Sequence, residues 1–183
     1  IGRLRDSGHP VVGPIGYPEL NRCESLEQDL IFYFGSNWSS LVSPSTAAKA
    51  YLARIHEVAK SSPELLVGHH YTRYLGDLSG GQILKKIAQK AMNLSDHEGV
   101  RFYEFDLIAD EKAFKINYSK TLDALPIDQE TADSIVEEAN KAFKFNMDMF
   151  QELEGNLIAA IGKVLFGFLT RRKRPGSTEA VVS

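Results

Sequence analysis

The sequence predicts an all-α fold, a single-domain helical bundle, on three observations. Apolar residues recur every three or four positions through most of the chain, the period of a helix with one buried face. The links between those stretches are short, and several begin with Ser, Asp or Pro at positions that start helices. No series of alternating apolar runs bounded by turns marks a sheet. The 183 residues suit one domain with a substantial core. A composition of 43% hydrophobic and 25% charged residues excludes whole-chain disorder. A single cysteine excludes an internal disulfide and a Cys-rich metal site, and fits a reduced, intracellular setting. A net charge of −3 gives no footprint for nucleic acid. His9, His56, His69, His70 and His97 are the available nitrogen ligands. The chain starts at Ile1 without a signal-peptide pattern and reads as a fragment or trimmed form.

In chain order, residues 1–16 read as a loop-rich segment, because Gly2, Gly8, Pro10, Gly13, Pro14 and Gly16 punctuate it. A helical domain follows over 17–155. Pro18 suits a first turn, and Leu20, Cys23, Leu26, Leu30 and Phe34 form the stripe of a helix stopped at Gly35. Ser43-Pro44 starts a second helix with Ala48, Tyr51, Leu52, Ile55 and Ala59 on one side. Ser62-Pro63 repeats that signal, and a long helical stretch runs over 63–92 with Leu66, Ile83, Leu84, Ile87 and Ala91. Residues 93–99 form a polar loop and 100–106 a short extended piece. A further helix covers 109–125 and ends before Pro126. The last begins at Asp128, with Ile135, Val136, Ala139, Phe143, Met147, Phe150 and Leu153 as its stripe.

Residues 156–183 form an apolar helix plus basic tail. Its apolar part, 157–169, is about 20 Å long as a helix, short of a bilayer core of about 30 Å. Arg171-Arg172-Lys173-Arg174 follows it. The stretch 157–174 fits peripheral contact with an anionic membrane, or a last bundle helix with a solvated basic end.

One segment breaks the helical rules: Tyr71-Thr72-Arg73-Tyr74-Leu75-Gly76-Asp77-Leu78-Ser79-Gly80-Gly81-Gln82. Each of its glycines costs roughly 1 kcal/mol against alanine inside a helix. Gly76 and Gly80 share a face, with Arg73 a turn earlier and Asp77 alongside. Such a strip admits a flat ligand close to the backbone beside a carboxylate, and its glycines permit a bend. Spacing alone allows a second helix to pack there equally well. Asn146 and Tyr51, however, lie on apolar stripes of their own helices and need partners. With Arg73 and Asp77 they form a candidate polar pocket inside the bundle.

This segment, continued by Ile83-Leu84-Lys85-Lys86-Ile87-Ala88, resembles the signature of animal heme oxygenases. Leu26-Glu27-Gln28-Asp29-Leu30, His56-Glu57-Val58, Pro63-Glu64-Leu65-Leu66-Val67 and Val136-Glu137-Glu138-Ala139 resemble the same family. The resemblance implies heme sandwiched between two helices, as substrate and cofactor. It implies oxidative cleavage to biliverdin with release of carbon monoxide and ferrous iron, using dioxygen and electrons from NADPH through a flavoprotein reductase. By the same resemblance Gly76 and Gly80 let the helix lie over the porphyrin, and Asp77 holds a catalytic water. Arg73, Tyr51 and Asn146 match the surrounding hydrogen-bond network. Tyr71 and Lys115 match propionate contacts, Thr72 lies beside them, and Phe143 and Phe150 match aromatic walls. Ser119 stands where the family has an arginine, with Lys120 next to it. No histidine here matches the family's proximal iron ligand, so the metal ligand is unassigned. A non-catalytic heme-binding form is therefore the alternative to an enzyme. The animal resemblance also implies the cytosolic face of the endoplasmic reticulum.

Overall fold

Ser45, Asp110 and Asp128 each turn a side-chain oxygen onto a backbone amide three residues on, at 3.2, 2.9 and 2.9 Å. These bonds satisfy donors that a helix start leaves unpaired. They begin α3 (Thr46–Ser61), α6 (Glu111–Asp123) and α7 (Gln129–Gln151). The remaining α-helices are α1 (Cys23–Phe34), α2 (Trp38–Leu41), α4 (Leu66–His70) and α5 (Gln82–Met92). The computed structural model describes residues 2, 6, 8–95 and 97–152. Among them there is no strand, and the all-α expectation holds.

Three local expectations change. Residues 100–106 are not extended: Arg101–Tyr103 form a 3-10 turn, because both Asp29 carboxylate oxygens accept backbone amides there, from Arg101 at 3.0 Å and Phe102 at 2.8 Å. Asp29 is accordingly the buried residue of α1, while Leu26 and Phe34 of the expected stripe are exposed. The N-terminal segment is not all loop, since Gly2 and Asp6 are helical and Gly13–Ile15 form a 3-10 turn. The stretch 157–174, with its membrane reading, lies outside the described residues, as does Leu153. No helix among the described residues is long and apolar enough to cross a membrane.

Between α4 and α5 the chain stays helical but widens into two π turns, Tyr71–Leu75 and Asp77–Gly81. Such turns are frequent at functional sites. The helical run 66–92 contributes to two apolar clusters that meet at Leu122. Val67 packs with Val11, Ile15, Leu125 and Ile135. Leu78 packs with Leu20, Phe105 and Tyr118.

Against α7 the packing is as close as backbone allows. A Cβ built on Gly68 would lie 2.7 Å from the Ile135 carbonyl oxygen and 2.8 Å from the Ala139 nitrogen. Here, glycine serves helix–helix approach. The α7 stripe divides accordingly: Ile135 and Ala142 are buried, whereas Val136, Phe143, Met147 and Phe150 are exposed.

Gly68→Ala should therefore destabilise the fold by about 1–3 kcal/mol, the usual cost of overpacking. Gly80→Ala should be neutral or stabilising by up to about 1 kcal/mol, since a Cβ there meets nothing within 4 Å. Urea unfolding midpoints of the two variants check this contrast.

Candidate functional site

Gly76 has an ordinary right-handed helical conformation, φ −58°. The backbone therefore does not demand glycine there. Nor does packing, because a Cβ on Gly76 or Gly80 would meet nothing within 4 Å. The possibility that these glycines admit a second helix is thus removed among the described residues. What remains is an exposed helical strip without side chains, open to a ligand.

Beside it lies an open pocket of about 440 Å³, lined by Tyr71, Thr72, Leu75, Gly76, Ser79, Ala139, Asn140 and Phe143. The pocket forms where the π turns and α7 diverge beyond the Gly68 contact. Thr72 closes its inner corner by donating its hydroxyl proton to the Ala139 carbonyl at 3.3 Å. Tyr71 and Phe143 stand exposed at its edge. Phe150, Lys115 and Gly80 are not in its lining. Lys115 instead approaches Glu111 on its own helix, at 4.0 Å.

Beneath the strip, the expected polar cluster is present. Asp77 Oδ2 receives Arg73 Nε at 3.1 Å, and Arg73 Nη1 donates to Asn146 Oδ1 at 3.1 Å. Asn146 is also near enough to the Tyr51 hydroxyl to favour its ionised form, against the effect of burial. Tyr51 is held by its ring as well, stacked on Phe145 at 5.2 Å. Burial pushes its phenol pKa up.

Sequence reasoning missed Arg22. Its Nη2 reaches Asp77 Oδ2 at 2.8 Å, and its Nη1 donates to the Phe102 carbonyl at 3.1 Å. Its guanidinium lies 4.1 Å from the Phe102 ring centroid and 4.7 Å from that of Phe105. A cation over aromatic faces suits this water-poor position. Asp77 therefore has two guanidiniums on one oxygen, and Oδ1 is the oxygen left to accept a water.

The histidines divide between surface and core. His56 and His97 are exposed, but His69 and His70 are buried core residues. His69 bridges the Tyr51 hydroxyl, 3.3 Å from Nδ1, and Glu138, 3.0 Å from Nε2. His70 Nδ1 meets the Tyr118 hydroxyl at 2.7 Å. Burial pushes its pKa down to about 3. His9 Nδ1 accepts the Val11 and Val12 amides. No cluster of three or more His, Cys, Asp or Glu able to hold a metal ion occurs among the described residues.

The heme oxygenase family profile matches residues 3–152. The chain belongs to the heme oxygenase family. It is 63% identical over 171 residues to heme oxygenase 1 of Synechocystis, covering 93% of this chain and 71% of that protein. It is 58% identical over 175 residues to heme oxygenase 1 of Nostoc, covering 96% and 74%. The crystal structure of the Synechocystis heme oxygenase-1 in complex with heme superposes with a TM-score of 0.78, covering 88% of this chain and 72% of that one. These cyanobacterial relatives correct the animal assignment, and with it goes the basis for placing the chain at the endoplasmic reticulum. The relatives are named as the enzyme, which favours it over a non-catalytic binding form.

Two buried groups set the acid limit of this fold. Hydrogen bonds from Arg54 hold the Glu138 carboxyl down from 4.5 to about 2. Its contribution is complete above the unfolded value and lost as pH falls through about 2. His70 is buried neutral, so below its unfolded value of 6.5 the unfolded chain binds the extra proton, down to about 3. Both effects have the same sign. Stability should decline from about pH 6.5 downward and more steeply in the carboxylate range. His70→Gln should make the upper part of that slope shallower, as read from urea midpoints against pH.

Proposed function

We propose that this chain carries out its family's reaction on the face formed by Gly76, Gly80 and the adjoining pocket. The reaction is oxidative cleavage of heme to biliverdin with release of carbon monoxide and ferrous iron. The observation that carries the assignment to this face is the glycine strip, which neither backbone conformation nor protein packing explains. Heme, when bound, supplies the iron that activates dioxygen; electrons come from NADPH through a flavoprotein reductase.

The chain's own residues do the rest. Gly76 and Gly80 let the porphyrin plane approach the backbone. Tyr71, Thr72 and Phe143 bound it on the α7 side, and Phe150 extends the aromatic wall. By the family resemblance Tyr71 and Lys115 would take the propionates, with Lys115, which lies outside the pocket lining, turning from Glu111 to serve as a point charge. Asp77, fixed through Oδ2 by Arg22 and Arg73, would offer Oδ1 to a water on the ligand side. Tyr51 and Asn146 complete the hydrogen bonds that orient that water, and Arg73 ties Asn146 to Asp77. Such positioned hydrogen bonds decide between binding oxygen and activating it. Proton delivery through the water depends on the placement of Asp77 rather than on its bulk.

Asp77→Ala should lower biliverdin formation by about 100-fold or more in a reductase-coupled assay, while heme titration shows nearly unaltered affinity. Normal biliverdin yield would refute the role given to Asp77. Gly80→Leu should weaken heme binding by roughly tenfold with the unfolding midpoint unchanged; equal affinity would remove heme from this strip.

A further inference from the structure

Glu138 has a side chain only 1% exposed, on the α7 face that also buries Ile135 and Ala142. Arg54 grips both of its oxygens, at 2.7 Å each, and Lys141 adds a contact of 3.1 Å. With its acidity strengthened by Arg54, the group is a carboxylate at neutral pH and can only accept. His69 Nε2 lies 3.0 Å from Glu138 Oε1, so the proton belongs on Nε2. Burial, the largest influence on His69, disfavours its charged form despite the opposing pull of Glu138. A neutral imidazole carries one N–H, and the partner of one nitrogen decides the state of the other. Nδ1 is thus bare, and the Tyr51 hydroxyl 3.3 Å away has to donate to it.

The other end of the network demands the same direction. Asn146 Oδ1 accepts from Arg73, which turns the amide nitrogen the other way. One amide proton goes to the Ala142 carbonyl at 2.8 Å. The second is available to the Tyr51 oxygen, whose ionised form Asn146 favours, as a donor facing it does. Donation therefore runs from Arg73 to Asn146, then to Tyr51, His69 and Glu138.

We infer that Glu138, acting through His69, fixes the direction of the Tyr51 hydroxyl and leaves the Tyr51 oxygen an acceptor toward Asn146 and the Asp77 side. Glu138 and His69 are positioning residues. Tyr51 offers lone pairs to its surroundings there, and supplies a proton only if its bond to His69 is broken. This consequence for oxygen chemistry rests on reading the glycine face as the heme pocket. The tautomer of His69 does not, so the two fail separately.

Nitrogen-15 NMR of the histidine rings in the full 183-residue chain at neutral pH tests the inference without heme. His69 is assigned by loss of its signals in His69→Asn. A pyridine-type shift for Nδ1 and a pyrrole-type shift for Nε2 are expected. The reverse pattern, or an imidazolium, would overturn the proposal. In Glu138→Gln the new side chain turns its carbonyl to Arg54 and its amide to His69, so the two nitrogen shifts should exchange. Their retention in the folded variant would overturn it too. Tyr51→Phe should keep the Nε2–H form; a switch there would make Tyr51, not Glu138, the determinant. Should Glu138→Gln fail to fold, the unmodified chain and Tyr51→Phe still decide.

Discussion

The approach of Gly68 to the backbone of α7 is the contact on which the remaining geometry depends. Two helices meet there with no side chain between them. From that point, the run 66–92 and α7 diverge at an angle that opens the pocket beside Gly76. The same contact sets His69 against Glu138 and, a turn later, Thr72 against Ala139. Farther along α7 it brings Asn146 within reach of Arg73. Within one run of helix, glycine thus has two opposite uses. At Gly68 the missing Cβ is filled by protein; at Gly76 and Gly80 it is left open.

The site is built in two layers that share few residues. The outer layer is apolar and exposed: Tyr71, Leu75, Gly76 and Phe143 offer surface to a flat ligand. The inner layer is ionic and buried, with Asp77 between Arg22 and Arg73, and Glu138 between Arg54, Lys141 and His69. Buried carboxylates are tolerable only when paired and hydrogen-bonded, and both of these are. Tyr51 and Asn146 connect the two carboxylates. A change at Arg54 therefore has a physical route toward Asp77 through Glu138, His69 and Tyr51 on one side and Asn146 and Arg73 on the other.

Much of this was legible in the residues. Asp128 announced a helix start; the Ser-Pro pairs at 43 and 62 announced starts nearby, though the cap of α3 is Ser45 and Ser62 makes no side-chain cap; and the glycine segment announced a candidate site by its cost. Asn146 and Tyr51 stood out as polar members of apolar stripes. Other parts were hidden for identifiable reasons. Arg22 precedes α1 in a segment without period, and its partner Asp77 is 55 positions away. Glu138 follows Glu137 and has the look of a solvated pair; its burial depends on Arg54 and His69 from other helices and on Lys141. The apolar stripe of α7 suggested a buried face, yet period reports amphipathicity and not what covers it. Phe145, which stacks on Tyr51, lies off that stripe. Resemblance identified the enzyme family correctly and its lineage wrongly, because the motif around Gly76 belongs to the chemistry rather than to the source.

The two π turns carry a further consequence. Each holds a residue more than an α turn would. The run 66–92 is thus a helix with insertions absorbed in place, and its second half keeps the register it would have without them. Removing one residue between 71 and 81 would let a turn relax to α and leave the helix beyond it in phase. Gln82 would keep the Tyr103 carbonyl, and Lys85 would keep Glu104. The loss would fall on the turn itself, where side chains between the deletion and the restored register change face and Asp77 shifts against Arg22. A deletion here spares the packing of α5 and disrupts the arrangement of the candidate site.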